Sequence, residues 1–203
     1  MIRRSLVLFG ASLLFLTACS DTKAGTASPV TTSSTRANAV PGPGVPKVDT
    51  PLDTTRFKRT PCESLAVEEV TTLLGSGATA KEELSAPGGP TCNWQPAGTT
   101  QATVGIIFNK VNQAGLTAIY QQQGSTFRLF MPVAPVGGLP AVAYGLKDER
   151  ATSGRCAIAV GTSDHEMIDV SITQSEANVG NSDPCAAAHE VAEKVVENIK
   201  GAQ

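Results

Sequence analysis

The side chains in this 203-residue chain with the means to do chemistry are two histidines, five cysteines and a scattering of carboxylates. His165 lies between Asp164 and Glu166, in a stretch that reads as a turn, where a solvated imidazole among acidic neighbours is the expected state. His189 stands four residues before Glu193 and six after Asp183. Ser182, Asp183 and His189 would form a nucleophile group only if Asp183 were not needed to cap the helix that follows it. No G-x-S-x-G elbow, H-E-x-x-H, phosphate loop or S-x-x-K is present. Triads are recognised by geometry rather than by order in the chain, so a cryptic envelope hydrolase stands as the alternative to a chain with no catalytic residues. Asp148, Glu149, Asp164, Glu166 and Asp169 raise calcium; without a D-x-D-x-D-G loop they read as solvated surface charge. Neither a metal nor a cofactor is expected.

The first cysteine has a different chemistry. Arg3 and Arg4 precede an apolar run over residues 5–16, which passes into Leu16-Thr17-Ala18-Cys19. A short positive segment, a short apolar run and small residues make an export signal. A cysteine directly after the small residue resembles a bacterial lipobox. On that pattern residues 1–18 are a lipoprotein signal peptide, Cys19 Sγ receives a diacylglycerol thioether, and cleavage leaves Cys19 first in the mature chain. Two or more acyl chains anchor stably where one is marginal, because each buried CH₂ contributes roughly 0.8 kcal/mol. The expected partner is therefore the membrane, through lipidated Cys19, and the expected location is the extracytoplasmic face of the cell membrane. Arg3-Arg4 raises the twin-arginine route, but Sec export is the default.

Cys62, Cys92, Cys156 and Cys185 remain, an even number in an exported domain, which reads as two disulfides. No CxxC or clustered Cys/His spacing suggests zinc. Cys62 and Cys185 each follow a proline at a predicted helix start, whereas Cys92 and Cys156 lie in predicted strands. Pairing like environments predicts Cys62–Cys185 and Cys92–Cys156.

Around these residues the chain divides by composition. Residues 20–60 are rich in Thr, Ser, Pro and Gly, with Phe57 their only aromatic. That composition predicts a disordered tether over residues 19–60, with a coil reach of roughly 35 Å and Pro41 to Pro46 biased toward extension. The tether carries six basic and three acidic side chains, and residues 61–203 carry eight and fifteen. An overall charge of −2 excludes the basic profile of a generic nucleic-acid binder. No apolar run reaches the roughly 18–20 residues of a membrane-spanning helix.

Residues 61–203 then read as a single domain. Ser64 is the predicted cap of a helix through Leu65, Val70, Leu73 and Leu74, stopped at Gly75. Strands are predicted at 91–95 and 102–110, a helix at 112–123, and a hairpin from 155–162 and 166–173, whose second strand sets Ile168, Val170 and Ile172 against Asp169, Ser171 and Thr173. Phe127 to Met131 is read either as a core strand or as a ligand or partner surface formed by Phe127, Leu129, Phe130 and Met131 with Tyr144. Asp183 and Pro184 open the last helix, whose stripe is Ala188, Val191, Ala192, Val195 and Ile199. The order of elements predicts an α+β fold, a mostly antiparallel sheet with helices packed on one face.

Several fragments recur together: Pro51-Leu52-Asp53, Pro61-Cys62 followed by Leu65, Cys92-Asn93-Trp94, Gly138 to Tyr144, Cys156 opening an apolar strand, and Asp183-Pro184-Cys185. With the lipobox, this set resembles the actinobacterial lipoproteins grouped as domain of unknown function 3558, over about residues 48–200. The resemblance implies envelope location, disulfides and a PsbP-like fold, and carries no catalytic residues. The expected function is a non-enzymatic, lipid-anchored module binding an envelope protein or an apolar envelope molecule; a structural subunit of a membrane complex is a further alternative.

Overall fold

The computed structural model describes residues 39–98, 102–110 and 113–203. The expected signal peptide, Cys19 and residues 20–38 of the expected tether lie outside the described residues.

Seven strands form one sheet: β1 (Thr79–Glu83), β2 (Thr91–Gln95), β3 (Thr103–Asn109), β4 (Leu129–Pro132), β5 (Ala141–Gly145), β6 (Arg155–Gly161) and β7 (Met167–Thr173). They run antiparallel throughout, in the order β1-β2-β3-β7-β6-β5-β4. Helices α1 (Val67–Leu74), α2 (Thr117–Tyr120), α3 (Arg150–Ser153) and α4 (Pro184–Gly201) complete an α+β fold. Strand alternation sends side chains to opposite faces, and here it sorts them cleanly. Ile106 and Phe108 of β3, Ile168 and Val170 of β7, and Ile158 and Val160 of β6 are all at most 1% exposed and share one cluster with the apolar stripe of α4. As predicted, α4 begins at Pro184, and the Asp183 carboxylate accepts the Cys185 N–H at 2.8 Å.

Several expectations are corrected. Ser64 caps nothing: residues 61–64 form a 3₁₀ turn, and the buried Ser64 hydroxyl donates to Pro61 O. The helix starts three residues later, where Glu69 Oε2 accepts the Ala66 N–H at 2.8 Å. The helix predicted from 112 shrinks to α2, because Gln113 and Gly115 hold left-handed backbone (φ 47° and 49°) that no right-handed helix can contain; residue 112 lies outside the described residues. Strand β1 is not predicted from the sequence, since all five of its residues are exposed and Ala80 is its one apolar side chain.

The disulfides are Cys62–Cys92 and Cys156–Cys185, each with Cα atoms 5.1 Å apart, not the pairs drawn from like environments. The sheet order supplies the reason. β2 and β6 are separated by β3 and β7, so Cys92 and Cys156 lie three inter-strand steps apart, roughly 14 Å, far beyond disulfide reach. Each bridge instead staples a helical segment to the strand beneath it: the 61–64 turn to β2, and α4 to β6.

The remaining correction moves the domain boundary. Residues 39–60 belong to the fold: Val48, Leu52 and Phe57 are 3–6% exposed and join the main core. The arm is tied to the β6–β7 turn by Leu52 N–H to Thr162 O (2.8 Å), Val48 N–H to the Asp164 carboxylate (2.9 Å) and Lys58 Nζ to Glu166 (2.7 Å). Gly161 of β6 admits it, since a Cβ there would stand 3.2 Å from Leu116 and 3.3 Å from Val48. Pro41 to Pro46 is a turn rather than an extended run, with Val45 N–H donating to Gly42 O. Composition averages over a segment and cannot register three apolar residues anchored by distant strands. The charge contrast shrinks with the tether: residues 39–203 carry twelve basic and seventeen acidic side chains.

Phe57→Ala should lower stability by about 3–5 kcal/mol in denaturant unfolding, whereas a loss below about 0.5 kcal/mol would return residues 48–60 to the tether. Replacing Cys156 and Cys185 together by alanine removes a 29-residue closure, which the chain-entropy model values at about 3–4 kcal/mol. A fall in Tm of roughly 10 °C is expected, and mass mapping of non-reduced peptides should show Cys62 joined to Cys92.

Candidate functional site

The sheet face opposite α4 is of two kinds. Over β5, β6 and the start of β7 it is closed by Leu116 and Ile119, packed on Val142, Ala159 and Met167, with Tyr120, Phe127, Phe130 and Tyr144 at the margin. Two edge-to-face ring pairs, Phe127–Tyr144 and Tyr120–Phe130, each with centroids 4.9 Å apart, lock this cover. Beyond Tyr144 the face is open, and a groove of about 320 Å³ runs across it.

Register builds the groove. The cross-strand row is Asn93 (β2), Gly105 (β3), Ser171 (β7), Ala157 (β6) and Tyr144 (β5). Gly105 and Ala157 make the floor low, Tyr144 closes one end, and Asn93 stands at the other. Asn93 Oδ1 and Ser171 Oγ converge above Gly105, where an added Cβ would meet them at 2.9 and 3.0 Å. Gln95, Thr103 and Thr173 add amide and hydroxyl groups, and Lys147, Glu149 and Arg155 line the rim, with Arg155 Nη1 4.0 Å from Glu149 Oε2.

Under the Tyr144 wall lies a carboxylate the sequence placed in solvent. Asp169 is 4% exposed; Tyr144 donates its phenol to Oδ1 at 2.7 Å, and Asn109 donates Nδ2–H to Oδ2 at 3.0 Å. Burial raises the Asp169 pKa above the usual carboxylate range, opposed by the Asn109 and Tyr144 bonds, which favour the charged form. Burial and the neighbouring carboxylate also push the Tyr144 phenol upward. Asp169 was expected outward because its strand alternates; the alternation is real, but the face it points to is covered here by the 113–128 segment.

The surface anticipated from Phe127, Leu129, Phe130, Met131 and Tyr144 does not form as one patch. Alternation along β4 sends Leu129 and Met131 to the main core and Phe130 to the opposite face, where Phe127, outside the strand, and Tyr144 of β5 also pack. Of these only Tyr144 and Leu129 line the groove. Asn93, Gly105 and Ser171 went unnoticed in the sequence, where each is an isolated polar or small residue at an outward strand position; only pairing register aligns them.

The other chemical candidates are bound up in the fold. His165 Nδ1 lies 3.0 Å from Gln113 O, and His189 Nε2 lies 3.0 Å from Ala134 O. Carbonyls only accept, so each of these nitrogens carries the proton. Asp164 and Glu166 hold the arm, and Arg150 grips Asp148 through Nε (2.9 Å) and Nη2 (2.8 Å), holding that carboxyl down to about 2. Among the described residues no three His, Cys, Asp or Glu side chains gather to hold a metal ion, and no helix is long and apolar enough to cross a membrane.

Comparison with known proteins finds one family model, described as Protein of unknown function (DUF3558), matching residues 14–198. No curated protein and no solved structure matches the chain.

The unfolded chain releases the Asp169 proton near pH ~3.9, before the folded protein does. Stability therefore falls as pH rises from about 4 through the raised folded-state pKa. In Asp169→Asn that titration is gone, so the variant's Tm should gain on the wild type as pH rises above about 4. A difference in Tm that stays flat over that range would show that Asp169 titrates as an ordinary carboxylate.

Proposed function

Because the chain belongs to the DUF3558 family, whose description assigns no activity, we propose a function from its own residues: a lipid-anchored, extracytoplasmic binding module that does no chemistry on its ligand. Cys19 is the anchor, set in a lipobox-like Leu16-Thr17-Ala18-Cys19 behind a short apolar run. Kinship with actinobacterial envelope lipoproteins accords with that pattern and is part of the same reading. The observation that carries the binding role is the open groove on the sheet, rimmed by Tyr144 and floored by Gly105 and Ala157. The groove is concave and lies where the 113–128 cover stops, which makes it the default candidate for a ligand. Its lining of amides and hydroxyls supports a polar envelope ligand better than an apolar one, because an apolar occupant would leave those groups without partners.

The absence of chemistry rests on the histidines. Each directs a ring N–H to a backbone carbonyl, and neither imidazole ring is hydrogen-bonded to a hydroxyl among the described residues. The large apolar side chains most exposed on the described surface are Val67, Leu84 and Leu146, and the structural-subunit alternative has less support than the groove gives a binding role.

The test starts from the native protein extracted from membranes. Cys19→Ala should move it to the soluble fraction, and native mass spectrometry of the wild type should show an added mass that Gly105→Ala loses. Unchanged membrane fractionation of Cys19→Ala would refute the anchor; an added mass indifferent to Gly105→Ala would refute the groove.

A further inference from the structure

We infer that the groove's ligand is a neutral, hydroxyl-rich molecule, a short oligosaccharide, laid across strands β2 to β5 between Asn93 and Tyr144; this rests on the reading of the groove as the binding site. Three observations select that class. First, the sheet beneath is fully paired on both sides of β3, β7 and β6, so the floor has no backbone N–H or C=O to give. Extended peptides are held chiefly by backbone hydrogen bonds at a sheet edge, and this face lacks them. Recognition must come from side chains.

Second, the side chains offered are uncharged and unengaged. Among the described residues, Asn93, Gln95, Thr103, Ser171 and Thr173 have no side-chain hydrogen-bond partner. An amide presents two donors and an acceptor site, and a hydroxyl one donor and two lone pairs, which is the mixed pattern that sugar hydroxyls and ring oxygens match. The convergence of Asn93 Oδ1 and Ser171 Oγ over Gly105 lets one ligand hydroxyl bridge β2 and β7. Third, charge is confined to the rim, and there Arg155 faces Glu149 at 4.0 Å. Lys147 stands on the same rim, while the floor row Asn93, Gly105, Ser171 and Ala157 carries no charge of either sign. The half-buried Tyr144 ring, steadied by Phe127 and Asp169, supplies an apolar wall at the end for the C–H face of a sugar ring.

The size agrees. Four inter-strand steps separate Asn93 from Tyr144, roughly 19 Å, and a groove of about 320 Å³ stands at the small end of ligand sites, which begin at roughly 300 Å³.

The experiment titrates the full-length chain in detergent with cellobiose and chitobiose, and in parallel with inorganic phosphate and trialanine, reading backbone amide shifts. Saturable shifts with the sugars, centred on Asn93, Gly105, Ser171 and Tyr144, are expected. Gly105→Ala, which narrows the floor, should weaken binding at least tenfold with Tm little changed. Should that variant misfold, Asn93→Ala with Ser171→Ala removes the two converging groups from exposed positions and should have the same effect. Saturable shifts at these residues from phosphate or trialanine, without any from the sugars, would overturn the saccharide class and leave the groove as a site. No shifts there from any probe would overturn the saccharide class, and if the extracted protein also carries no added mass sensitive to Gly105→Ala, the groove reading falls with it.

Discussion

The central strand β7 is hydrogen-bonded on both sides, to β3 and to β6, and its period-two alternation divides the molecule. Ile168, Val170 and Ile172 face α4 and make the main core; Met167, Asp169 and Ser171 face the other way. Because antiparallel partners share a face, that division is transmitted through every neighbouring strand. A one-residue slip of β7 would place Asp169 against α4 and Val170 or Ile172 over the groove. The core, the buried carboxylate and the groove floor are therefore consequences of one register.

The two sides of this division are completed differently. On one side α4 covers the sheet with a continuous apolar stripe, and the Cys156–Cys185 bridge pins its first turn to β6. On the other, the 113–128 segment covers only half of the surface and ends at the Tyr144 wall. Tyr144 belongs to both worlds: its ring packs against Phe127 in the closed cluster, its hydroxyl satisfies Asp169, and its outer flank bounds the groove. A carboxylate is costly to bury, and its cost is offset here by the hydrogen bonds from Tyr144 and Asn109, the first of which also holds that wall. The arm from residue 39 performs the equivalent service at the β6–β7 turn, where Asp164 and Glu166, which look like surplus surface charge in the sequence, become its anchors.

Legibility followed the range of the interactions. The β6–β7 hairpin and α4 were readable because their signals are local: alternation in Ile168 to Thr173, and a cap, a proline and a stripe from Asp183 to Ile199. Strand β1 was invisible because Thr79 to Glu83 contributes backbone hydrogen bonds and no buried side chain. The helix expected from residue 112 failed on the left-handed backbone of Gln113 and Gly115, which apolar periodicity does not encode. The arm failed on composition, since Val48, Leu52 and Phe57 are sparse in a Thr/Ser/Pro/Gly background and find their partners more than a hundred residues away.

The five cysteines, two histidines and their neighbours are written in the chain itself, as are the Leu16-Thr17-Ala18-Cys19 run, the evenness of the remaining four cysteines and the α+β class. Such features depend on residue identity and short spacing. Which cysteines meet, which face Asp169 occupies, and that Asn93, Gly105 and Ser171 stand in one row were decided only in three dimensions. The reason is physical: strand order is a property of pairing between distant segments, and the order β2-β3-β7-β6 puts roughly 14 Å between two strand cysteines that look alike in sequence while bringing three unremarkable side chains side by side.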